Sequence, residues 1–208
     1  MFDAVARTCD RFCTALVGGD TTVWPFPLAI ATTAIGEPGP HGVVGRGGAR
    51  PGDQIFVTGA LGGSRFGHHL TFVPRIGEAL DLAAYVELHA MCDISDGLAI
   101  DLHHIAEESG VGAVIEAEAI PVRPEAARHA DGRSALDHAL SDGEDFELLF
   151  CVSPRDAERL EAFRPCLTPL TRIGEITADR RVLLRHPDGR LEPLPKLGWH
   201  HVLRGRRD

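Results

Sequence analysis

Short strand-like segments alternate with amphipathic helical segments along most of the 208 residues, and this alternation limits the folds that the chain can adopt. Apolar runs predict strands at 28–35, 54–58, 91–94, 111–117, 146–152, 183–186 and 191–194. Apolar residues spaced three to four apart predict helices at 3–16, 61–70, 76–89, 96–108, 133–140 and 154–162. The last two strands flank Pro187-Asp188-Gly189, a hairpin turn signal. We therefore expect an α+β fold, or a mixed α/β sandwich, rather than a doubly wound parallel sheet.

The overall charge excludes one class of partner. The formal net charge is -9, with 30 acidic residues against 21 lysines and arginines. A nucleic-acid surface needs clustered cations, so we expect no nucleic-acid partner. Small anions would have to be held by local cations or by bound metal.

Two further patterns bear on the cellular setting. The five cysteines are scattered, without a Cys-x-x-Cys pair, which is typical of reduced thiols in a cytosolic protein. No apolar run approaches the ~20 residues that span a bilayer, and the first residues lack the pattern of a signal peptide. The sequence predicts a cytoplasmic protein without a membrane partner.

The sharpest local feature is the segment 92–98, where an apolar strand runs into two carboxylates, a hydroxyl and a glycine that opens a helix. Mg²⁺ prefers oxygen ligands and is usually held by one or two carboxylates plus substrate phosphate, which suits Asp93 and Asp96. Ser95 and the first amides of the helix are candidates for phosphate oxygens. The alternative is that Ser95 or Asp96 only caps the helix.

A second candidate follows the first predicted helix. Gly18 and Gly19 let the backbone approach a ligand, and Asp20 with the next two threonines then presents one acid and two hydroxyls. The alternative is an ordinary helix end and turn.

A third candidate is the segment 141–147, which holds four acids in six residues directly before the apolar residues 148–150. Such a charge run is usually a solvated turn. Its position against a core strand suggests that something cationic is bound there.

Arg46 lies among glycines and is a candidate for bidentate pairing with a phosphate, the alternative being a flexible basic loop. The sequence contains neither Gly-x-x-x-x-Gly-Lys-Ser/Thr nor a kinase glycine-rich loop, so a nucleotide would be held mainly through metal.

Adjacent histidine pairs, such as His103 and His104, point about 100° apart on a helix and seldom share a metal. We interpret them as solvated or core residues.

Taken in order, these motifs closely resemble the thiamine-monophosphate kinase family over nearly the whole chain. The segments that carry the resemblance are 16–22, 46–53, 57–62, 93–98, 143–149 and 198–199. The resemblance implies the aminoimidazole-ribotide-synthetase-like fold, in which ATP binds at a dimer-associated cleft between an N-terminal and a C-terminal α+β domain. It also implies transfer of the ATP γ-phosphoryl group to thiamine monophosphate, with Mg²⁺ and ATP as cofactors.

The resemblance further implies roles for individual residues. Asp93 and Asp96 are the expected catalytic pair and, with Asp20, the Mg²⁺ ligands. Gly19, Asp20, Arg46 and Ser95 are expected at the nucleotide. Glu144 and Trp199 are expected at the thiamine end, with Trp199 packed on the core as the alternative.

The chain also departs from the family pattern, at Val23, Gly47 and Asp142. The family pattern continues well upstream of residue 1, with further metal-binding acids. We therefore expect residues 1–38 to be the remnant of an N-terminal ATP-binding domain, with only its last helix and strand, and 39–208 to be the C-terminal domain. The family is expected to be homodimeric, and this chain is expected to need the missing segment. Two alternatives remain open, a non-catalytic binding remnant and a superfamily member with another small substrate.

Overall fold

The computed structural model describes residues 2–39, 41–128 and 131–200. The chain divides into two compact units, residues 1–37 and 38–208. In the described part of the chain, no helix is long and apolar enough to cross a membrane.

The described residues of the unit 1–37 form one helix, α1 (Phe2–Arg11), and no residue of α1 is buried. The prediction of a helix to residue 16 is wrong, because Cys13 adopts a left-handed backbone conformation just after α1. The prediction of a strand at 28–35 is also wrong, since this segment is exposed and has no strand pairing among the described residues. A strand requires a partner for its amides and carbonyls, and residue pattern alone cannot supply one. The assignment of 1–38 to an N-terminal domain stays a prediction.

The described residues of the second unit form five α-helices and seven strands. The helices are α2 (Ile76–Tyr85), α3 (Leu98–Ser109), α4 (Pro124–Arg128), α5 (Ala135–Ser141) and α6 (Pro154–Ala162). The strands are β1 (Gln54–Thr58), β2 (Leu88–Asp93), β3 (Gly112–Glu116), β4 (Leu148–Val152), β5 (Leu170–Thr177), β6 (Val182–Arg185) and β7 (Leu191–Pro193).

All seven strands form one sheet in the order β2-β4-β1-β5-β3-β6-β7. Every neighbouring pair is antiparallel except β3 and β6, which are parallel. The predicted hairpin is confirmed, since β6 pairs antiparallel with β7.

Apolar residues cover both faces of the sheet. On one face, Leu98 and Leu102 of α3 pack in a cluster with Ile55 of β1. On the other face, Phe56 and Phe150 stack across β1 and β4, in a cluster with side chains of α2 and α6. Alternate residues of a strand point to opposite faces, so β1 contributes to both clusters. The expected α+β sandwich is confirmed.

Several elements of the second unit differ from the sequence prediction, among them α4, which was not predicted. Segment 61–70 forms two short 3₁₀ turns, Ser64–Phe66 and His68–Leu70, because Gly67 between them has a left-handed conformation (φ 94°). The helix predicted at 76–89 ends at Tyr85, and β2 begins at Leu88. Strand β5, next to β1 in the middle of the sheet, was not predicted.

Candidate functional site

The connection between β2 and α3 carries Asp93, Ser95 and Asp96, and its shape is set by Asp101. One carboxylate oxygen of Asp101, Oδ2, accepts hydrogen bonds from the amides of Ser95, Asp96 and Gly97, each at 3.1 Å. Gly97 is the N-cap residue of α3, and no side chain caps it. The interpretation that Ser95 or Asp96 merely caps the helix is therefore wrong.

The same contacts bear on the expectation that Ser95 and the first amides of the helix meet phosphate oxygens. The amides of residues 95–97 donate to Asp101, whereas phosphate contacts of the Ser95 hydroxyl and of the amides from Leu98 onward stay a prediction. Asp93 is exposed at the end of β2, while Ser95 and Asp96 are half-buried. The side chains of the loop, rather than these amides, are the groups that it offers to a ligand.

The acidic segment 142–147 lies directly against this loop. The amide of Glu144 donates to the carbonyl oxygen of Ser95 at 2.8 Å, and the amide of Phe146 donates to that of Ile94 at 2.9 Å. Glu144 and Phe146 both have φ of 51°, a left-handed conformation that costs a non-glycine residue of order 1–3 kcal/mol. Such strain is typical of positions that hold a side chain for function.

Three of the four acids in this segment have partners inside the chain. Asp142 bonds to Arg133 at 2.6 Å and to His138 at 2.7 Å. The carboxylate of Asp145 accepts the amides of Gly62 and Gly63 at 3.0 to 3.1 Å. Burial raises the pKa of Asp145 to about 6, although these amides oppose the shift. The departure from the family pattern at Asp142 is thus explained by its bonds to Arg133 and His138.

Glu147 is the third internally bonded acid and is fully buried. It accepts two hydrogen bonds from Arg75, at 2.7 and 2.8 Å, and one from the hydroxyl of Thr58 at 2.7 Å. Arg123 approaches the same carboxylate at 3.4 Å. The hydrogen bonds to Glu147 raise the pKa of Arg75. The sequence predicted a bound cation beside this segment, and for Glu147 that cation is the guanidinium of Arg75. Of the four acids, only Glu144 is exposed.

The segment at Gly198 and Trp199 is bonded to the same loop. The amide of Trp199 donates to the carbonyl oxygen of Asp96 at 2.9 Å. A Cβ on Gly198 would lie 2.3 Å from that oxygen, and φ of Gly198 is 138°, so this close approach requires glycine. The Trp199 side chain is 65% exposed, so it is not a core residue. The structure thus brings together the segments that hold Asp96, Glu144 and Trp199.

Arg46 lies in a loop held between β2 and the end of α3. The carbonyl oxygen of Gly45 accepts the amide of Met91 at 2.9 Å. The hydroxyl of Ser109 accepts the amides of Gly48 and Ala49, both at 3.1 Å. The alternative of a flexible basic loop is therefore wrong. The guanidinium of Arg46 is 3.9 Å from the carboxylate of Glu108 and is partly exposed.

Gly19 and Asp20 lie in the unit of residues 1–37, and both are exposed. The carboxylate of Asp20 accepts the amide of Thr21 at 2.8 Å. The convergence of Asp20 with Asp93 and Asp96 stays a prediction.

One cluster of possible metal ligands at the connection between β2 and α3 was not predicted from the sequence. Asp96, Asp101 and His104 can each present a ligand atom, and these atoms lie within 4.8 Å of one another. Burial raises the pKa of Asp101, although the amides that it accepts oppose the shift. The signal for this cluster was the spacing of Asp101 and His104, three residues apart on one helix, which places both on one face.

Residues 54–186 match the family described as AIR synthase related protein, C-terminal domain. The chain belongs to this family. The match includes the loop after β2, the acidic segment and every strand except β7.

Individual members of the family show which branch the chain resembles. It is 36% identical to a thiamine-monophosphate kinase of Rhodopirellula baltica over 203 residues, 97% of this chain and 63% of that protein. It is 40% identical to that of Methanospirillum hungatei over 202 residues, 93% of this chain and 65% of that protein. The chain thus spans less than two thirds of the length of these two relatives.

A solved structure gives the same result. AaThiL in complex with AMPPCP and TMP aligns with a TM-score of 0.58 and 32% identity, covering 76% of this chain and 54% of that one. The resemblance to thiamine-monophosphate kinases, stated from the motifs, is confirmed.

Proposed function

We propose that this chain carries the larger part of a magnesium-dependent kinase site that transfers the γ-phosphoryl group of ATP to thiamine monophosphate, giving thiamine diphosphate and ADP. One observation carries the proposal: the segments of Asp96, Glu144 and Trp199 meet through backbone hydrogen bonds of 2.8 and 2.9 Å. These segments hold the residues expected at the metal and at the thiamine end.

The residues suit the chemistry of this transfer. The attacking group is a phosphate oxygen that is already ionised, so the reaction needs little help from a general base. The main barrier is the approach of two polyanions, which bound cations reduce. An acidic chain with net charge -9 can only achieve this with metal and a few placed arginines.

The donor set fits magnesium. Asp93 and Asp96 offer carboxylate oxygens, the ligands that Mg²⁺ prefers, on a loop that hydrogen bonds to Asp101 already hold in place. Bound Mg²⁺ would neutralise phosphate charge. Arg46 and the hydroxyl of Ser95 are the chain's own groups for the ATP phosphates, and Gly19 and Asp20 would complete the nucleotide side.

The thiamine end is assigned to Glu144 and Trp199. Thiazolium is a cation, and both a carboxylate and an aromatic face stabilise positive charge. Glu144 is exposed on a strained turn, and the indole of Trp199 is largely exposed beside the same loop. Both residues therefore present surface that a ligand can contact.

The assembly belongs to the proposal as well. We expect a homodimer, and we expect activity to require the portion of the relatives that this chain does not span. The exposed apolar side chains of residues 1–37, among them Trp24, Phe26 and Leu28, support the need for a partner. The free cysteines fit a cytoplasmic setting.

The direct test is thiamine diphosphate formation from ATP and thiamine monophosphate, alongside calorimetric binding of both ligands with Mg²⁺. Turnover, by the chain alone or after addition of the missing segment, supports the kinase. Binding with no turnover in either form supports a non-catalytic binding protein. Turnover with another small phosphate acceptor and none with thiamine monophosphate supports a different member of the family.

A further inference from the structure

Two polar atoms at the start of α3 are buried without a hydrogen-bond partner, Oδ1 of Asp101 and Nδ1 of His104. Asp101 is fully buried, and its other oxygen, Oδ2, is occupied by three amides. Leaving buried polar atoms without a hydrogen bond is costly, so these two atoms, which face each other at 3.4 Å, are candidates to bind a cation together.

We propose that Asp101, His104 and Asp96 bind a divalent transition-metal ion such as Mn²⁺, Co²⁺ or Zn²⁺. The proposal does not rest on the kinase function, because no nucleotide takes part. Asp96 has two carboxylate oxygens, so it can serve this ion and Mg²⁺ together.

The spacing of the two unpaired atoms fits metal ligands better than a hydrogen bond. Nδ1 of His104 and Oδ1 of Asp101 are 3.4 Å apart, whereas the carboxylate bonded to His138 lies at 2.7 Å and that bonded to His89 at 2.8 Å. Ligands around a tetrahedral metal with bonds of about 2.0–2.1 Å are ~3.4 Å apart. Asp96 completes a group of three residues, each of which offers one ligand atom within 4.8 Å of the others.

The surroundings of the cluster hold it ready for a cation. The three amides on Asp101 fix its carboxylate, as outer hydrogen bonds commonly do for metal ligands. His104 lies one helical turn after Asp101, on the same face of α3. The carboxylate of Asp101 therefore needs little reordering when the ion binds.

The nitrogen ligand decides which class of ion fits. Mg²⁺ is bound by oxygen, whereas imidazole suits zinc, copper, iron and nickel, and manganese tolerates mixed sets. A site of two carboxylates and one imidazole is thus selective for transition metals over Mg²⁺.

The test is titration of the nucleotide-free chain with Co²⁺, followed by calorimetry and by the visible absorption of bound Co²⁺. His104→Ala should weaken Co²⁺ binding by at least about tenfold, because even the loss of a residue that only supports a metal ligand commonly has an effect of this size. The matched control is His103→Ala, since His103 is the adjacent residue of α3 and its ring contacts the carbonyl oxygen of Leu194 at 2.8 Å. This control should bind Co²⁺ as the unmodified chain does.

Circular dichroism of His104→Ala checks that the variant is folded, and Asp101→Asn provides a second ligand variant. The proposal is overturned if the unmodified chain gives no Co²⁺ absorption, or if folded His104→Ala and His103→Ala bind Co²⁺ equally. Either result leaves Mg²⁺-dependent turnover unaffected, so this proposal and the kinase proposal fail separately.

Discussion

The amide of Trp199 donates to the carbonyl oxygen of Asp96 at 2.9 Å, which joins the end of the described chain to the loop after β2. Because we propose that Asp96 binds the metal and that Trp199 contacts thiamine, this bond would link the two ends of the candidate site. A change that separates the two segments should therefore affect substrate binding.

Gly198→Ala makes that separation. The new Cβ would lie 2.3 Å from the carbonyl oxygen of Asp96, so the Trp199 segment must move. We expect weaker binding of thiamine monophosphate, measured by calorimetry. Gly189→Ala is the matched control, because Gly189 also has positive φ (81°) but no neighbouring atom within 4 Å. Equal effects of both variants on binding would show that the contact with Asp96 is irrelevant.

Trp199→Ala should weaken the binding of thiamine monophosphate by ~0.5–2 kcal/mol, the usual range for a cation over an aromatic face. Trp199→Phe should lose less, since it keeps an aromatic ring. Calorimetry with each variant measures both effects. Unchanged affinity in Trp199→Ala would remove this residue from the thiamine end.

Glu147→Gln should lower the free energy of unfolding by up to ~3–5 kcal/mol, because it removes the buried carboxylate that pairs with Arg75 and leaves Arg75 only Glu78. Urea denaturation measures the change. The matched control is Glu161→Gln, whose ion pair with Arg172 at 3.3 Å is exposed and should contribute ~0–1 kcal/mol. Similar losses in both variants would contradict the special role of the buried group.

Asp145 should make stability depend on pH. Its pKa is raised from 3.8 to about 6 by burial, so the folded chain holds this proton where the unfolded chain has released it. The folded state then binds more protons between about pH 4 and 6, and the free energy of unfolding falls as pH rises through that window, by ~3 kcal/mol.

Asp145→Asn should remove this fall, because an amide does not titrate. Urea denaturation at a series of pH values checks it, with Glu144→Gln, a change at an exposed acid of the same segment, as the control. Parallel pH profiles for Asp145→Asn and the unmodified chain would contradict the assignment.

Local signals explain which elements could be predicted. Helix α6 has the predicted bounds, Pro154–Ala162, because Ser153 caps it and proline occupies its first turn. The turn from β2 into α3 was also evident, since an apolar run meets acids and a glycine there. In both cases the decisive interactions lie within a few residues.

Strand β5 shows why other elements could not be predicted. The register of β1 and β5 shifts between Ile55 and Phe56, and the buried residues of β5, Ile173 and Ile176, are three apart rather than two. Gly174 packs so closely that a Cβ would lie 2.1 Å from the carbonyl oxygen of Val114. Because of this bulge and this close approach, β5 does not show the alternation of apolar and polar residues that identifies a strand in a sequence.

The residues of the candidate site also divide into those that the sequence predicted and those that it did not. The exposed groups, Asp93, Glu144 and Trp199, were evident from their motifs. The roles of Asp101 and Glu147 were not, since Glu147 pairs with Arg75, which is 72 residues away. Such partners depend on the sheet, and only the folded chain identifies them.

We propose that Asp96 helps to hold the cation at which two phosphate-bearing molecules meet. The most direct measurement is calorimetric binding of AMPPCP in the presence and absence of Mg²⁺, for the unmodified chain and Asp96→Asn, with Asp188→Asn in the β6–β7 turn as the control. We predict that Mg²⁺ strengthens binding by at least about tenfold in the unmodified chain and the control, and that Asp96→Asn loses this gain while remaining folded. Full Mg²⁺-dependent binding in Asp96→Asn would contradict the account.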